Sequence, residues 1–178
     1  GSNFPLREDS VKLNNKLETK YFGVGHTKLY IEKVCEFFGN LGKTKYTCIR
    51  HSNIYGPNDK FDLEKGHFFA SNLLKIFHTK NNAISIWGKG TEKRDLLYIT
   101  DLTNFVDKVI KFQKTKFKIY NCTYGKSFRV IDIIKKMIKY HKRDIKINFD
   151  LTKPSIPVNI LVDSSKAYKE LKLSLIHI

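Results

Sequence analysis

The sequence predicts an α/β fold, and three observations carry that prediction. Short β-branched and aromatic runs alternate with longer stretches whose apolar residues recur at helical spacing. The clearest run, Tyr46-Thr47-Cys48-Ile49, stops at Tyr55-Gly56-Pro57-Asn58-Asp59, a row of turn formers, and open α/β sheets hold their ligands in such strand-end loops. A hydrophobic content of 41% with thirteen Phe is enough for a packed core rather than a disordered chain.

In chain order, residues 3–20 are polar and aperiodic and read as an irregular approach segment. Val24–Phe38 is helical, with Leu29, Ile31, Val34, Cys35, Phe37 and Phe38 spread over more than one face and Gly39 and Gly42 expected to end it. A helix apolar on two sides packs on a sheet and on something else, here expected to be a partner subunit. After the strand Tyr46–Ile49, the pattern predicts a helix over Phe68–His78 and a strand over Ala83–Trp87. A turn at Gly88–Thr91 and a strand over Leu96–Ile99 follow. Thr100-Asp101 opens a helix carrying Leu102, Phe105, Val106, Val109 and Ile110. Lys118–Asn121 reads as a strand, Ser127–Tyr140 as a helix and Ile145–Phe149 as a strand. Pro154 and Pro157 then punctuate a loop before a short strand at Asn159–Val162. Asp163-Ser164-Ser165 caps a last helix at Lys166–Leu171, and an apolar tail follows at Ser174–Ile178.

Several function classes are set aside by composition. No apolar run approaches the roughly 20 residues that span a bilayer, and no secretory leader pattern is present, so a cytoplasmic protein is expected. The three cysteines are scattered and odd in number, which fits buried free thiols in a reducing compartment; no spacing suggests a metal site. The net charge of +16 raises nucleic-acid binding, yet the basic residues are 28 Lys and five Arg, dispersed with no block longer than two. Nucleic-acid readers use clustered bases and Arg forks, so no nucleic-acid partner is expected. The ten glycines contain no dinucleotide-binding fingerprint.

One ordered series of short motifs carries more. It comprises Arg50…Asn53-Ile54-Tyr55-Gly56-Pro57…Asp59-Lys60-Phe61, Gly66-His67, Ile86-Trp87-Gly88-Lys89-Gly90-Thr91 and Arg94-Asp95-Leu96-Leu97-Tyr98…Asp101-Leu102. The series resembles the C-terminal part of the extended short-chain dehydrogenase/reductases, the NAD-dependent nucleotide-sugar epimerases and dehydratases. Within that family it looks most like the GDP-L-fucose synthases. The resemblance runs from about Pro5 to Leu171. It implies the C-terminal part of a Rossmann-type enzyme, lacking the N-terminal Rossmann half. Residues 1–60 would be a remnant of the dinucleotide domain. Residues 61–178 would be mainly a small α/β substrate domain, with about 84–110 returning to the Rossmann part.

The resemblance also implies roles. Family members carry a Tyr four residues before a Lys on one helix face, about 6 Å apart along the axis, so that the Lys lowers the Tyr pKa and binds the cofactor ribose. Lys28 matches the Lys. Val24 stands where the Tyr is expected, and Tyr21 is the nearest tyrosine upstream, in a Tyr-x6-Lys order similar to that of the enoyl reductases. His67 matches a His used for acid/base work in epimerisation, with a neutral-pH imidazole suited to it. His51, Ser52, Asn53 and Ile54 match the segment that closes over the nicotinamide end of NAD or NADP, with Lys28 and His67 beside it; the missing half would hold most of the cofactor. Asn53, Lys75, Trp87 and Arg94 match positions for a nucleotide-diphosphate sugar, Lys and Arg on pyrophosphate and Trp as a flat wall. Ser155 and Asn159-Ile160 depart from the family at two substrate contacts. The expected activity is hydride plus proton transfer at the sugar in a homodimer joined through helix 24–38, with the 178 residues inactive alone. The alternative is a non-catalytic sugar-nucleotide or protein-binding relative with a degenerate Tyr/Lys pair.

Overall fold

The computed structural model describes residues 5–14, 16, 17, 19–153 and 161–173. The chain divides into two compact units that interleave along the sequence. One contains Ser2–Ser52, Thr100–Gly125 and Leu161–Ile178; the other contains Asn53–Ile99 and Lys126–Ile160.

In the first unit, helix α1 (Phe22–Leu41) leads into strand β1 (Tyr46–His51), which pairs in parallel with β5 (Phe117–Cys122). Parallel strands need a crossover, and helix α3 (Ile99–Phe112) lies between them in the chain. The short helix α5 (Ser165–Leu171) packs on β5. Leu29, Phe105, Val109, Tyr120, Ala167 and Leu171 are buried here. Of the two glycines expected to end α1, Gly42 does so, donating its N–H to Phe38 O at 3.1 Å, whereas the helix continues through Gly39 to Leu41. Gly39 has another duty. A Cβ there would lie 2.7 Å from the main-chain oxygen of Lys116, so the missing side chain lets α1 approach the start of β5. Of the cysteines, Cys122 is buried and Cys35 and Cys48 are half-buried; all three are free thiols. Burial, aided by the neighbouring Cys35, pushes the Cys48 thiol up to about 12, so it is inert at neutral pH.

Two further features tie this unit together. Leu6 bridges Val162 in parallel, so the described part of the predicted strand at 159–162 pairs with the N-terminal segment. Asn159, Ile160, Pro154, Ser155, Pro157 and the tail 174–178 lie outside the described residues. The buried Tyr120 donates its hydroxyl to Glu170 at 2.7 Å, fastening α5 to β5. That bond, helped by Lys118, holds the Glu170 carboxyl below its ordinary value. A depressed carboxylate stabilises the fold above its unfolded value and loses that contribution as pH falls. Thermal midpoints should therefore drop as pH falls below about 4.5, the ordinary Glu value. Tyr120→Phe should flatten that acid limb; an unchanged limb would exclude this contact as its source.

The second unit holds two small sheets. Strand β3 (Ala83–Trp87) pairs in parallel with β7 (Lys146–Asp150). Strand β2 (Asn53–Tyr55) runs parallel to β4 (Lys93–Tyr98), and β4 runs antiparallel to β6 (Ser127–Arg129). Helices α2 (Phe68–His78) and α4 (Val130–His141) cover a core of Ile76, Ile84, Ile86, Val130, Ile133, Ile134, Met137 and Ile145. Residues 127–129, predicted to open a helix, are a strand instead because their main chain is recruited by Lys93–Asp95. No helix among the described residues is long and apolar enough to cross a membrane.

Candidate active site

Each unit carries part of the residues singled out from the sequence. In the β1/β5 unit, Tyr21 ends a 3-10 turn (Thr19–Tyr21) and serves as N-cap of α1. The helix runs unbroken through Gly23 and Gly25, with Thr27 Oγ1 bonded back to Gly23 O at 2.9 Å. Continuous helix separates Tyr21 from Lys28 by about 10 Å along the axis. Val24, one turn before Lys28, is exposed, and so is Lys28 itself. The glycines thus do not unwind the helix to bring Tyr21 nearer Lys28.

At the carboxyl end of β1, the exposed His51 ring places Nδ1 2.8 Å from Ser52 O. A carbonyl only accepts, so this contact assigns the proton to Nδ1 and leaves Nε2 as an acceptor when the ring is neutral. The Ser52 main-chain N–H is used in the sheet, bonding Cys122 O at 3.1 Å. Its hydroxyl oxygen is buried and has no partner among the described residues. A buried hydroxyl left unpaired calls for an explanation, and a bound polar group supplies one.

Sequence reasoning missed what holds this end of the unit. Arg50 Nε and Nη2 form a bidentate pair with Glu32, both at 2.7 Å, while Nη1 bonds Glu8 O at 2.9 Å and Nη2 reaches Val11 O at 3.4 Å. Glu32 lies one helical turn after Lys28, so the pair locks that stretch of α1 to β1 and to the N-terminal segment. A cavity of about 300 Å³ adjoins the pair, floored by Leu29, Phe117 and Ile119. The sequence signal was an arginine directly after the run Tyr46-Thr47-Cys48-Ile49.

In the other unit, Asn53 opens β2 and donates from Nδ2 to Asp95 O at 3.0 Å, so its amide fastens β2 to β4. Ile54 is half-buried in β2, paired with Leu97. The loop after β2 turns at Gly56, whose φ of +146° suits glycine and whose missing Cβ avoids Ile99. Asp62 accepts the N–H groups of Glu64 and Lys65, both at 2.8 Å. Those bonds hold its carboxyl below the ordinary range and close the turn that leads to His67. His67 is the N-cap of α2 in extended conformation, its carbonyl bonded by Ser71 N at 2.9 Å and its ring exposed. Tyr55 packs on Phe69 and Tyr98, with ring centroids 4.5 and 5.3 Å away, and seats the start of α2 on this sheet.

Lys75 is bonded to β3, the strand that ends at Trp87. Lys75 Nζ donates to Ser85 O at 3.1 Å, and burial lowers its pKa from the ordinary lysine value. Trp87, two residues on and exposed on the same side of β3, has Lys153 Nζ 6.0 Å from its ring centroid. Arg94 is half-buried on β4 opposite Phe128. Among the described residues no cluster of His, Cys, Asp or Glu is arranged to hold a metal ion.

Comparison with known proteins gives these features a setting. The model of the NAD dependent epimerase/dehydratase family matches residues 9–123. The GDP-L-fucose synthase of Azorhizobium caulinodans is 24% identical over 153 residues, covering 84% of this chain and 49% of that protein. The GDP-L-colitose synthase of Yersinia pseudotuberculosis is 27% identical over 165 residues, covering 90% and 53%. Among solved structures, a GDP-6-OMe-4-keto-L-xylo-heptose reductase from C. jejuni superposes with a TM-score of 0.85 at 17% identity, covering 100% of this chain and 62% of that one. The chain thus spans about half the length of the curated relatives it matches. With the family match extending over more than half of its residues, from the first turn of the N-terminal segment to the end of β5, the chain belongs to the NAD dependent epimerase/dehydratase family.

Proposed function

We propose that this chain is the C-terminal part of an NAD(P)-dependent nucleotide-sugar epimerase/reductase of the GDP-L-fucose synthase type. The observation that carries the reading is the family match over residues 9–123, a span that includes α1 with Lys28, the His51–Ile54 segment and His67. The residues present fit a cofactor edge: the buried, unpartnered Ser52 Oγ and the exposed His51 Nε2 are polar groups with capacity to spare at a strand end. Lys28, His51, Ser52, Asn53, Ile54 and His67 would hold the nicotinamide end of NAD or NADP, which supplies hydride exchange when bound. Lys28 and Tyr21 serve proton transfer to the oxygen on the carbon that exchanges hydride, and His67 moves protons during epimerisation. Asn53, Trp87 and Arg94 take the nucleotide-diphosphate sugar. Lys75, already bonded to Ser85 O, contributes as a fixed positive charge rather than as a mobile arm.

The outward side of α1 supports the homodimer. Tyr30, Ile31, Phe37, Phe38 and Leu41 are all exposed on a helix whose other side packs on β1 and β5, and a second copy of the helix would cover them. Val24 in place of the family tyrosine favours the second reading, a non-catalytic sugar-nucleotide or protein-binding relative.

The test uses the full-length protein that contains this sequence, assayed for nicotinamide oxidation with GDP-linked keto sugars. Lys28→Met and His67→Gln should each lower kcat by about 10²-fold or more. Tyr21→Phe should do the same; full activity in that variant removes Tyr21 from the mechanism. Absence of turnover together with retained sugar-nucleotide binding would select the second reading. Hydride transfer by the 178 residues alone would overturn the assignment of most of the cofactor site to another part of the protein.

A further inference from the structure

Folding gathers lysines that the sequence spreads out. In α4 the side made by Val130, Ile133, Ile134 and Met137 is buried in the core of the second unit. Lys135, Lys136 and Lys139 recur at helical spacing on the opposite side, all exposed, and Tyr140 stands at its margin, 84% exposed. Lys142 caps the helix in the left-handed conformation, and Arg143 and Lys146 follow it. Residues 126–146 hold eight Lys and Arg against two acids, Asp132 and Asp144.

The fold leaves this charge uncompensated. Asp132 is taken by Arg129, at 2.7 and 3.0 Å. Among the described residues, Lys135, Lys136, Lys139 and Lys142 form no ion pair. The helix dipole favours Lys139 in the last turn but does nothing for Lys135 and Lys136 at mid-helix. Like charges one turn apart, as at Lys135 and Lys139, destabilise a helix. Contacts within the fold therefore give no reason for the stripe.

We propose that this side of α4 is a docking surface for an anionic phospholipid bilayer, on which the protein rests without inserting a helix. Charge complementarity selects an anionic partner, and two features select a bilayer. Nucleic-acid readers use guanidinium forks, and the arginine beside the stripe, Arg143, already bonds Thr79 O and Asn82 Oδ1 within the fold. Lysines offer point charges that need no bidentate geometry, which matches the smeared charge of a headgroup layer. Tyr140 adds a ring with a polar end, a kind of side chain that settles at headgroup level. The proposal needs no turnover, so it stands or falls apart from the enzymatic reading.

The test is flotation of the full-length protein that contains this sequence with vesicles of phosphatidylcholine, with and without phosphatidylglycerol. The protein should bind only the anionic vesicles, and binding should fall as salt rises. Lys135→Gln/Lys136→Gln/Lys139→Gln should lower partitioning on the order of 10²-fold, each charge near an anionic surface being worth about fivefold. The same change in charge on the other unit, Lys111→Gln/Lys114→Gln/Lys169→Gln, should leave partitioning within about twofold of the parent, because charges farther off than the screening length contribute little. All six side chains are exposed, so both variants should keep the parent's thermal midpoint. Arginine in place of the same three α4 lysines should restore binding, which separates charge from any effect on the helix. Indifference to phosphatidylglycerol, equal losses from the two glutamine variants, or failure of the arginine variant to bind would each overturn the proposal. So would binding to nucleic acid or to an acidic protein without binding to anionic vesicles.

Discussion

Replacing Arg50 with methionine should lower the stability of the β1/β5 unit by about 3–5 kcal/mol, the range for breaking a buried ion pair by removing one partner. The pair is well shielded, with side-chain exposures of 21% and 13% for Arg50 and Glu32. The variant leaves a carboxylate without its counter-charge and two carbonyls, of Glu8 and Val11, without their donor. The loss should show as a reduced urea midpoint and as faster exchange in α1 and the N-terminal segment. Adding Glu32→Leu to Arg50→Met should recover much of it, since an apolar pair avoids the cost of stranding one charge. A single variant as stable as the parent would show that the clasp contributes nothing net. The experiment also bears on function, because Glu32 lies one turn from Lys28: in the full-length protein, Arg50→Met should perturb turnover through the helix and not through contact with substrate.

Ile134→Ala should be the most damaging change in the other unit, at about 2–5 kcal/mol, while Ile134→Val should cost only about 0.5–1.5 kcal/mol. Ile134 is fully buried at the centre of the cluster that joins α2, α4, β3 and β7. The protein's single tryptophan, Trp87, is on β3 in the same unit, so its fluorescence reports that unit directly. Equal urea midpoints for the alanine variant and the parent would show that this cluster does not limit the unit's stability.

Helical and strand periods carried much of the element list, because both are properties of residues a few positions apart. The misplacements fall where a distant partner overrides the local pattern. Gly39 looked like a helix stop, yet it is kept small by Lys116 across the packing interface. Ser127–Arg129 looked like the first turn of a helix until Lys93–Asp95 claimed its main chain. The site followed the same division. Asn53, His67 and Lys28 stood out in the sequence through motif order, whereas the structure gives the Asn53 amide to Asp95 O and the Lys75 ammonium to Ser85 O. Neither bond follows from spacing.

From the residues alone came the α/β class, the family resemblance, the turn-rich loop that begins at Tyr55 and the unusual Tyr21–Lys28 spacing, all encoded over short stretches of chain. The bounds of the two units, the Arg50–Glu32 clasp and the closure of the far edge of β5 by side chains from distant segments were settled only on folding. Their partners lie far apart in sequence, with Glu8 meeting Asn121 across 113 residues and Thr123 meeting Ser164 across 41. Such pairings are chosen by the packing of whole elements, which no local pattern contains.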